Sequence, residues 1–452
     1  MNAFFVGIGG MGMSGLAKIL HTAGNKVAGS DRALDGDYCR RLRELGVTLY
    51  SQDGTGPRRF LEETGLQASD VVIVKSTAVE DQVPDIVTAR ELGIREIMRS
   101  DLLADMFNSS RGIAVGGTAG KTTTTGLIAW VLKFAGLDPS CAVGGIMSGL
   151  ETNAFRGSGK DFVIEADESD GSIVKYRPYI SLITNVSRDH KSLDELKDLF
   201  GQFLAHTDAA GACIICGDDP YLPELAGHAG GRLIRYGLNA GNDLHAENIN
   251  VGTGHVTFTV DGTLFDTQLP GNHNILNMLA TIAVARYVGI PDQETAAALR
   301  AFPGMKRRFE HIGTARGVTI IDDFAHNPAE IAAAIRTARH ASRRRFIVYQ
   351  PHGFGPTRFT REDLIRVFSD LNKDEYLYLD DIFYGGGTVE KDISSKDIID
   401  EVRQRFPNAF YHGNRDTIVS DIVREARDGD MVLVMGARDV NTLCRRILDC
   451  LQ

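Results

Sequence analysis

"RGIAVGGTAGKTTTTGLIAWVLKFAG", residues 111–136, runs from an apolar strand through a glycine-rich turn into a helical pattern. That order makes the turn a phosphate loop. Gly116, Gly117 and Gly120 let backbone N–H groups close around phosphate oxygens, and the helix N-terminus adds positive potential. Lys121 would reach the β- and γ-phosphates, and the Thr122 hydroxyl suits Mg2+. The spacing is one residue short of the usual pattern, because Val115 stands five before Gly120. Strand, loop, Lys-Thr and helix still occur together, so an α/β block that binds ATP is expected here.

The chain opens with a second loop of this kind. "VGIGGMGMSG", residues 6–15, places Gly7, Gly9 and Gly12 in G-x-G-x-x-G between an apolar strand and a helical stretch. Such a turn admits a nucleotide diphosphate. Asp31 ends the next strand, "KVAGSD", where an acidic side chain can bind ribose hydroxyls. The motif alone leaves both NAD and a UDP-sugar open.

Outward from these loops, short apolar runs alternate with helical patterns, which implies parallel, doubly wound sheets. "DFVIEAD" (161–167) and "ISLITNV" (180–186) extend the middle series. "VTIIDDF" (318–324), "RRFIVYQ" (344–350), "EYLYLDD" (375–381) and "MVLVMGA" (431–437) form a third. The expected architecture is α/β with three domains: a Rossmann-like unit at 1–107, a central P-loop ATPase-type unit at 108–311, and a second Rossmann-like unit at 312–452. A chain of 452 residues is long enough for that.

Composition narrows the function. With 49 Lys and Arg against 59 Asp and Glu, the net charge of −10 argues against a nucleic-acid partner. No run is long enough to span a membrane, the start does not read as a signal peptide, and six scattered cysteines suit a reducing compartment, so the expectation is cytoplasmic. "CIIC" (213–216) lies in an apolar run and reads as a buried strand rather than a metal or redox site.

"FVIEADESD" sets Glu165 at the end of a strand, followed by Asp167, Glu168 and Asp170. Clustered carboxylates repel one another unless a cation or solvent neutralises them, and Mg2+ favours a few carboxylates plus phosphate and water. "TNVSRDH" places His190 beyond the next strand. Residues after neighbouring parallel strands meet at one sheet edge, so Thr122, Glu165 and His190 are expected to converge as a metal site.

"GTAGKTTTT", "EADESDGS", "TNVSRDH", "GNHNILNMLATIAVA", "KRRFE", "DDFAHNP" and "QPH" occur in an order that resembles the Mur ligase family of peptidoglycan synthesis, over essentially the whole chain. The resemblance implies an ATP-dependent carboxylate–amine ligase. It would join UDP-N-acetylmuramate to L-alanine or a related amino acid through an acyl phosphate, with Mg2+ present. It also implies why two loops exist: the first unit takes the UDP and the middle unit takes ATP.

By the same resemblance, Gly9, Gly10, Met11, Gly12, Asp31, Ser76 and Thr77 bind the UDP-sugar. Gly117, Thr118, Gly120, Lys121, Thr122, Thr123, His273, Asn274, Asn277, Arg308 and Asp323 bind ATP. His326, His352 and Arg358 handle the acceptor. Lys121, Glu165, His190 and His326 are the catalytic set. A monomer or homodimer is expected.

Three departures from the family pattern stand out. Ala119 replaces a histidine in the phosphate loop, "RDHKS" replaces "PDHMD", and "QPHGFGPTRF" lacks the arginines expected at Gly353 and Pro356. The last bears on the amine acceptor and keeps a tripeptide open. Two other functions remain on the sequence: a nicotinamide-dependent oxidoreductase using the first loop, and a UDP-sugar-binding homologue that no longer ligates.

Overall fold

The computed structural model describes the chain except residues 188–190, 253–254 and 385–389. The first sheet has five parallel strands in the order Thr48–Ser51, Val27–Asp31, Asn2–Val6, Val71–Lys75, Arg95–Met98. The order reverses between Asn2–Val6 and Val71–Lys75. Ligands bind at such a reversal, beyond the carboxyl ends of the strands. The glycine loop leaves the first of these strands, and Ser76 and Thr77 follow the second.

The middle sheet has eight strands and is built around Arg111–Gly116. Asp161–Glu165 pairs on one side and Ile180–Ile183 on the other, both parallel. The phosphate loop therefore emerges between two strand ends that carry Glu165 and Asn185 toward it. All five residues of Ala212–Cys216 are buried, so "CIIC" is core as expected. The six cysteines are all free.

The third sheet has six strands, with Glu310–Ala315 antiparallel to Val318–Asp323 at one edge and the rest parallel. That edge strand crosses the expected 311/312 boundary, so this sheet begins at Glu310. Two features lack the strand–helix alternation and were not expected. One is a three-stranded antiparallel sheet, Glu247–Gly252, His255–Val260 and Thr263–Thr267. The other is the ribbon Ser140–Met147 and Thr152–Phe155.

Packing divides the molecule unevenly. One apolar core runs continuously from the first sheet's helix Met11–Thr22 through the middle sheet, whereas the third sheet has its own core on each face. The ribbon docks the first unit on the middle one, where Lys18 Nζ donates to Thr152 Oγ1 at 2.8 Å and Asn153 Nδ2 donates to the Met11 carbonyl at 2.8 Å. No helix among the described residues is long and apolar enough to cross a membrane.

Candidate active site

The phosphate loop is held from below. Asn185 Oδ1 accepts from Thr118 Oγ1 at 2.8 Å and from the Ala119 amide at 3.0 Å, while its Nδ2 donates to the Ala119 carbonyl at 2.8 Å. Thr184 Oγ1 donates to the same carbonyl at 2.6 Å. Residue 119 is thus fixed through its backbone, which any side chain supplies, so alanine there leaves the cradle intact. Gly120 turns the chain into the helix Lys121–Phe134 at φ 82°, and a Cβ there would lie 2.7 Å from Asn277 Oδ1.

Lys121 Nζ donates to Gly117 O at 2.6 Å and to both oxygens of Glu168 at 2.9 and 3.0 Å. Burial would pull its pKa down, but Glu168, Glu165 and Asp167 outweigh it and hold the ammonium above its ordinary range. Lys121 is therefore charged and positioned over the loop. Thr122 Oγ1 lies 3.1 Å from both oxygens of Glu165, and the Gly144 amide donates to Glu165 Oε2 at 2.7 Å. A hydroxyl and a carboxylate form the hard oxygen set that Mg2+ takes beside phosphates, so these residues fit the ion. His190, the third expected ligand, lies outside the described residues.

The link into the third unit is wound tightly. Arg307 and Phe309 both have left-handed backbones, at φ 58° and 50°, which costs a non-glycine residue about 1–2 kcal/mol each. The strain is held by side chains. Phe309 N donates to Asp323 Oδ2 at 2.7 Å, and Arg307 N donates to Glu310 Oε2 at 2.7 Å. Between them Arg308 is aimed at the phosphate loop, its Nη2 donating to Thr122 Oγ1 at 3.1 Å. Its guanidinium lies 5.2 Å from the Phe324 ring centre.

These elements enclose a cleft of about 460 Å3 with walls from all three units. The first contributes Gly10, Met11, Gly12 and Ser76. The second contributes Thr118, Lys121, Thr122, Glu165 and Glu168, and the third contributes His326. His326 Nδ1 lies 3.2 Å from the Phe324 carbonyl, which can only accept, and 3.4 Å from Glu330 Oε2, so Nδ1 is the nitrogen that donates and Nε2 is left for the cleft.

Behind the loop a second cavity of about 400 Å3 is lined by Gly120, Thr123, His273, Asn274, Asn277 and Asp323. Burial and Arg336 lower the His273 pKa to about 4, so its ring is neutral at pH 7. Asn277 Nδ2 donates to Asn274 Oδ1 at 3.1 Å, and Thr124 Oγ1 donates to Asn277 Oδ1 at 3.1 Å. The helix Asn272–Val288 is thereby registered on the loop's own helix.

Some expected residues lie outside both cavities or spend their polar atoms on the protein's own backbone and side chains. Asp31 spends Oδ2 on the Gly9 amide at 2.8 Å and Oδ1 on Ala33 N at 2.9 Å, so it shapes the first loop. Its Oδ2 lies 2.9 Å from where a Gly9 Cβ would be, so this approach requires glycine. Asp323 likewise spends its second oxygen on Ala325 N at 2.7 Å. Thr77 does not line the cleft beside Ser76. Arg358 is ion-paired with Asp392 away from the cleft, and His352 accepts from Arg438 Nε at 2.8 Å.

Others were not singled out from the sequence. Asn185 and Arg99 each follow a strand at the carboxyl edge, the signal that picked out Glu165, and lie at the loop and in the cleft respectively. Asn153 and Glu330 also line the cleft, on a ribbon and a helix that gave no such signal.

The fold and site together define a nucleotide-dependent α/β enzyme in which a phosphate loop faces a second nucleotide loop across one cleft. Three family models match in succession: Mur ligase family, catalytic domain, over residues 3–111; Mur ligase middle domain over 115–285; and Mur ligase, glutamate ligase domain, over 307–438. A UDP-N-acetylmuramate–L-alanine ligase of Nitratidesulfovibrio vulgaris is 37% identical, with 98% of this chain and 97% of that protein aligned. The structure of a UDP-N-acetylmuramate–alanine ligase from Thermotoga maritima superposes with a TM-score of 0.79 at 27% identity, covering 99% of this chain and 98% of that one. A murein peptide ligase of Psychrobacter arcticus gives 0.71 at 25% identity, covering 100% and 98%. The chain belongs to the Mur ligase family.

Proposed function

We infer that this chain is an ATP-dependent ligase that joins the carboxylate of UDP-N-acetylmuramate to the amine of L-alanine, a step of peptidoglycan synthesis. The observation that carries this reading is the cleft in which the Gly10–Gly12 loop, the Lys121–Thr122 pair and His326 share one space. The full-length likeness to alanine-adding relatives supports the choice of substrates. Residues 1–107 would take the UDP-sugar, 108–311 the ATP and 312–452 the amine.

A carboxylate has no good leaving group, so it must first be activated. Its oxygen attacks the γ-phosphorus of ATP, ADP leaves, and an acyl phosphate forms. The amine then attacks the carbonyl carbon, loses a proton and expels phosphate. The first step brings two anions together. Lys121 and Arg308 place positive charge where they meet and where charge develops on the transferring group.

Thr122 and Glu165, with His190, would hold Mg2+, which supplies further neutralisation at the phosphates. His326, on the cleft wall, would take the proton of the incoming amine. His273, Asn274 and Asn277 line the cavity suited to the adenine. Closure of the three units over the cleft would exclude the water that hydrolyses the acyl phosphate.

A second reading takes a short peptide as acceptor. Arg358 faces Asp392 rather than the cleft, and Gly353 and Pro356 offer no cation for an amino-acid carboxylate. One experiment decides: phosphate release from ATP and UDP-N-acetylmuramate against a panel of amino acids and short peptides. A response to L-alanine alone supports the first reading. A response to a tripeptide alone supports the second, and none with any amine refutes both.

A further inference from the structure

The third unit carries another concavity, of about 490 Å3, between the helices Pro328–Ala341 and Phe354–Ser369. Arg336, Arg339, Arg366 and Arg405 line it, and Asp370 is the one acid among its lining residues. Four guanidinium groups around one hollow repel one another, and the whole chain is otherwise acidic, with a net charge of −10.

Two of the four are already committed. Arg339 donates to both oxygens of the buried Glu375 at 2.8 and 2.9 Å, and Arg366 pairs with Asp363 at 3.0 Å. Arg336 and Arg405 make no side-chain hydrogen bond or ion pair among the described residues. At the same hollow, Ser369 Oγ is buried with no hydrogen-bond partner. The remaining walls include Ile335 and Val367, which lower the local dielectric and concentrate the field.

We propose that this concavity is a binding site for a small polyphosphate anion, separate from the nucleotide cleft. Guanidinium forks match phosphate oxygens in pairs, and two unpaired forks can each take one phosphate group of a polyphosphate. The separation is set by one helix. Ala329 and Ala333 of Pro328–Ala341 line the cavity behind the phosphate loop, while Ala332, Ile335 and Arg336 line the arginine hollow on another face. The site is thus additional to the ligation reading and does not depend on it.

The test is calorimetric titration of the full chain with inorganic tripolyphosphate in a Lys121→Ala background, which removes the phosphate loop's ammonium. One tripolyphosphate should still bind per chain, more weakly as salt rises. Adding Arg336→Ala and Arg405→Ala should weaken that binding by roughly tenfold or more per arginine, since a hydrogen bond to a charged group is worth about a decade in affinity. Both side chains are exposed and unpaired, so the variant should keep the parent's melting temperature. The single Arg405→Ala variant gives a second reading if the multiple variant melts early. No binding in the Lys121→Ala protein, or binding unmoved by losing either arginine, overturns the proposal.

Discussion

Asp323 sits under two opposed demands. Burial raises its pKa to about 6, while Arg308 and the amides of Ala325 and Phe309 favour the carboxylate. The folded protein therefore binds this proton more tightly than the unfolded chain, whose Asp titrates near 3.8. Unfolding stability must then fall as pH rises between those values, because the unfolded state binds fewer protons. A rise from 3.8 to about 6 corresponds to about 3 kcal/mol. The stability advantage of the wild type over Asp323→Asn should accordingly be largest below pH 4 and shrink by about that amount above pH 6. Urea unfolding of both proteins across the range checks this; an advantage that grew with pH would show that Asp323 is stabilised as a carboxylate.

At the scale of elements, the phosphate loop and the helix Asn272–Val288 depend on one close approach. Gly120 adopts a left-handed backbone and lies where a Cβ would press on Asn277 Oδ1 at 2.7 Å. Gly120→Ala must therefore either strain the turn or push Asn277 away, breaking its bond from Thr124. The expected cost is about 1–2 kcal/mol of stability from the backbone alone. Turnover should fall further than stability does, because the Lys121–Thr122 helix loses its register. Thermal unfolding and ATP turnover measured on the same variant separate the two effects. Retention of both at wild-type values would mean that the approach is not as tight as described.

At the scale of the molecule, the two glycine loops sit on separate sheets. The first loop and its switch point belong to the five-stranded sheet, and Lys121 belongs to the eight-stranded one. Lys121→Ala should abolish ATP-dependent phosphate release while leaving UDP-N-acetylmuramate affinity nearly unchanged, read by titration calorimetry. Loss of both in a folded variant would contradict the division. The third unit, with cores of its own, meets the phosphate loop through Arg308 from the strained Arg307–Phe309 turn. A unit packed separately and joined by a tight polar hinge can shift over the cleft without opening an apolar core.

The sequence alone determined the local geometry. Both glycine loops, the strands that feed them, Lys121, Thr122 and Glu165 follow from patterns within a few residues, because a strand–turn–helix places its own turn at the sheet edge. The three-unit α/β order was legible for the same reason. Only the tertiary structure decided which polar side chains face ligand space and which hold backbone. Asp31 and Asp323 carry the right chemistry at the right edge, yet each spends both oxygens on amides that folding brings to them. Arg358 is drawn to Asp392, 34 residues away in sequence. Asn153 and Glu330 reach the cleft through a ribbon and a helix whose docking is set by packing between units, and no periodicity within either segment records that.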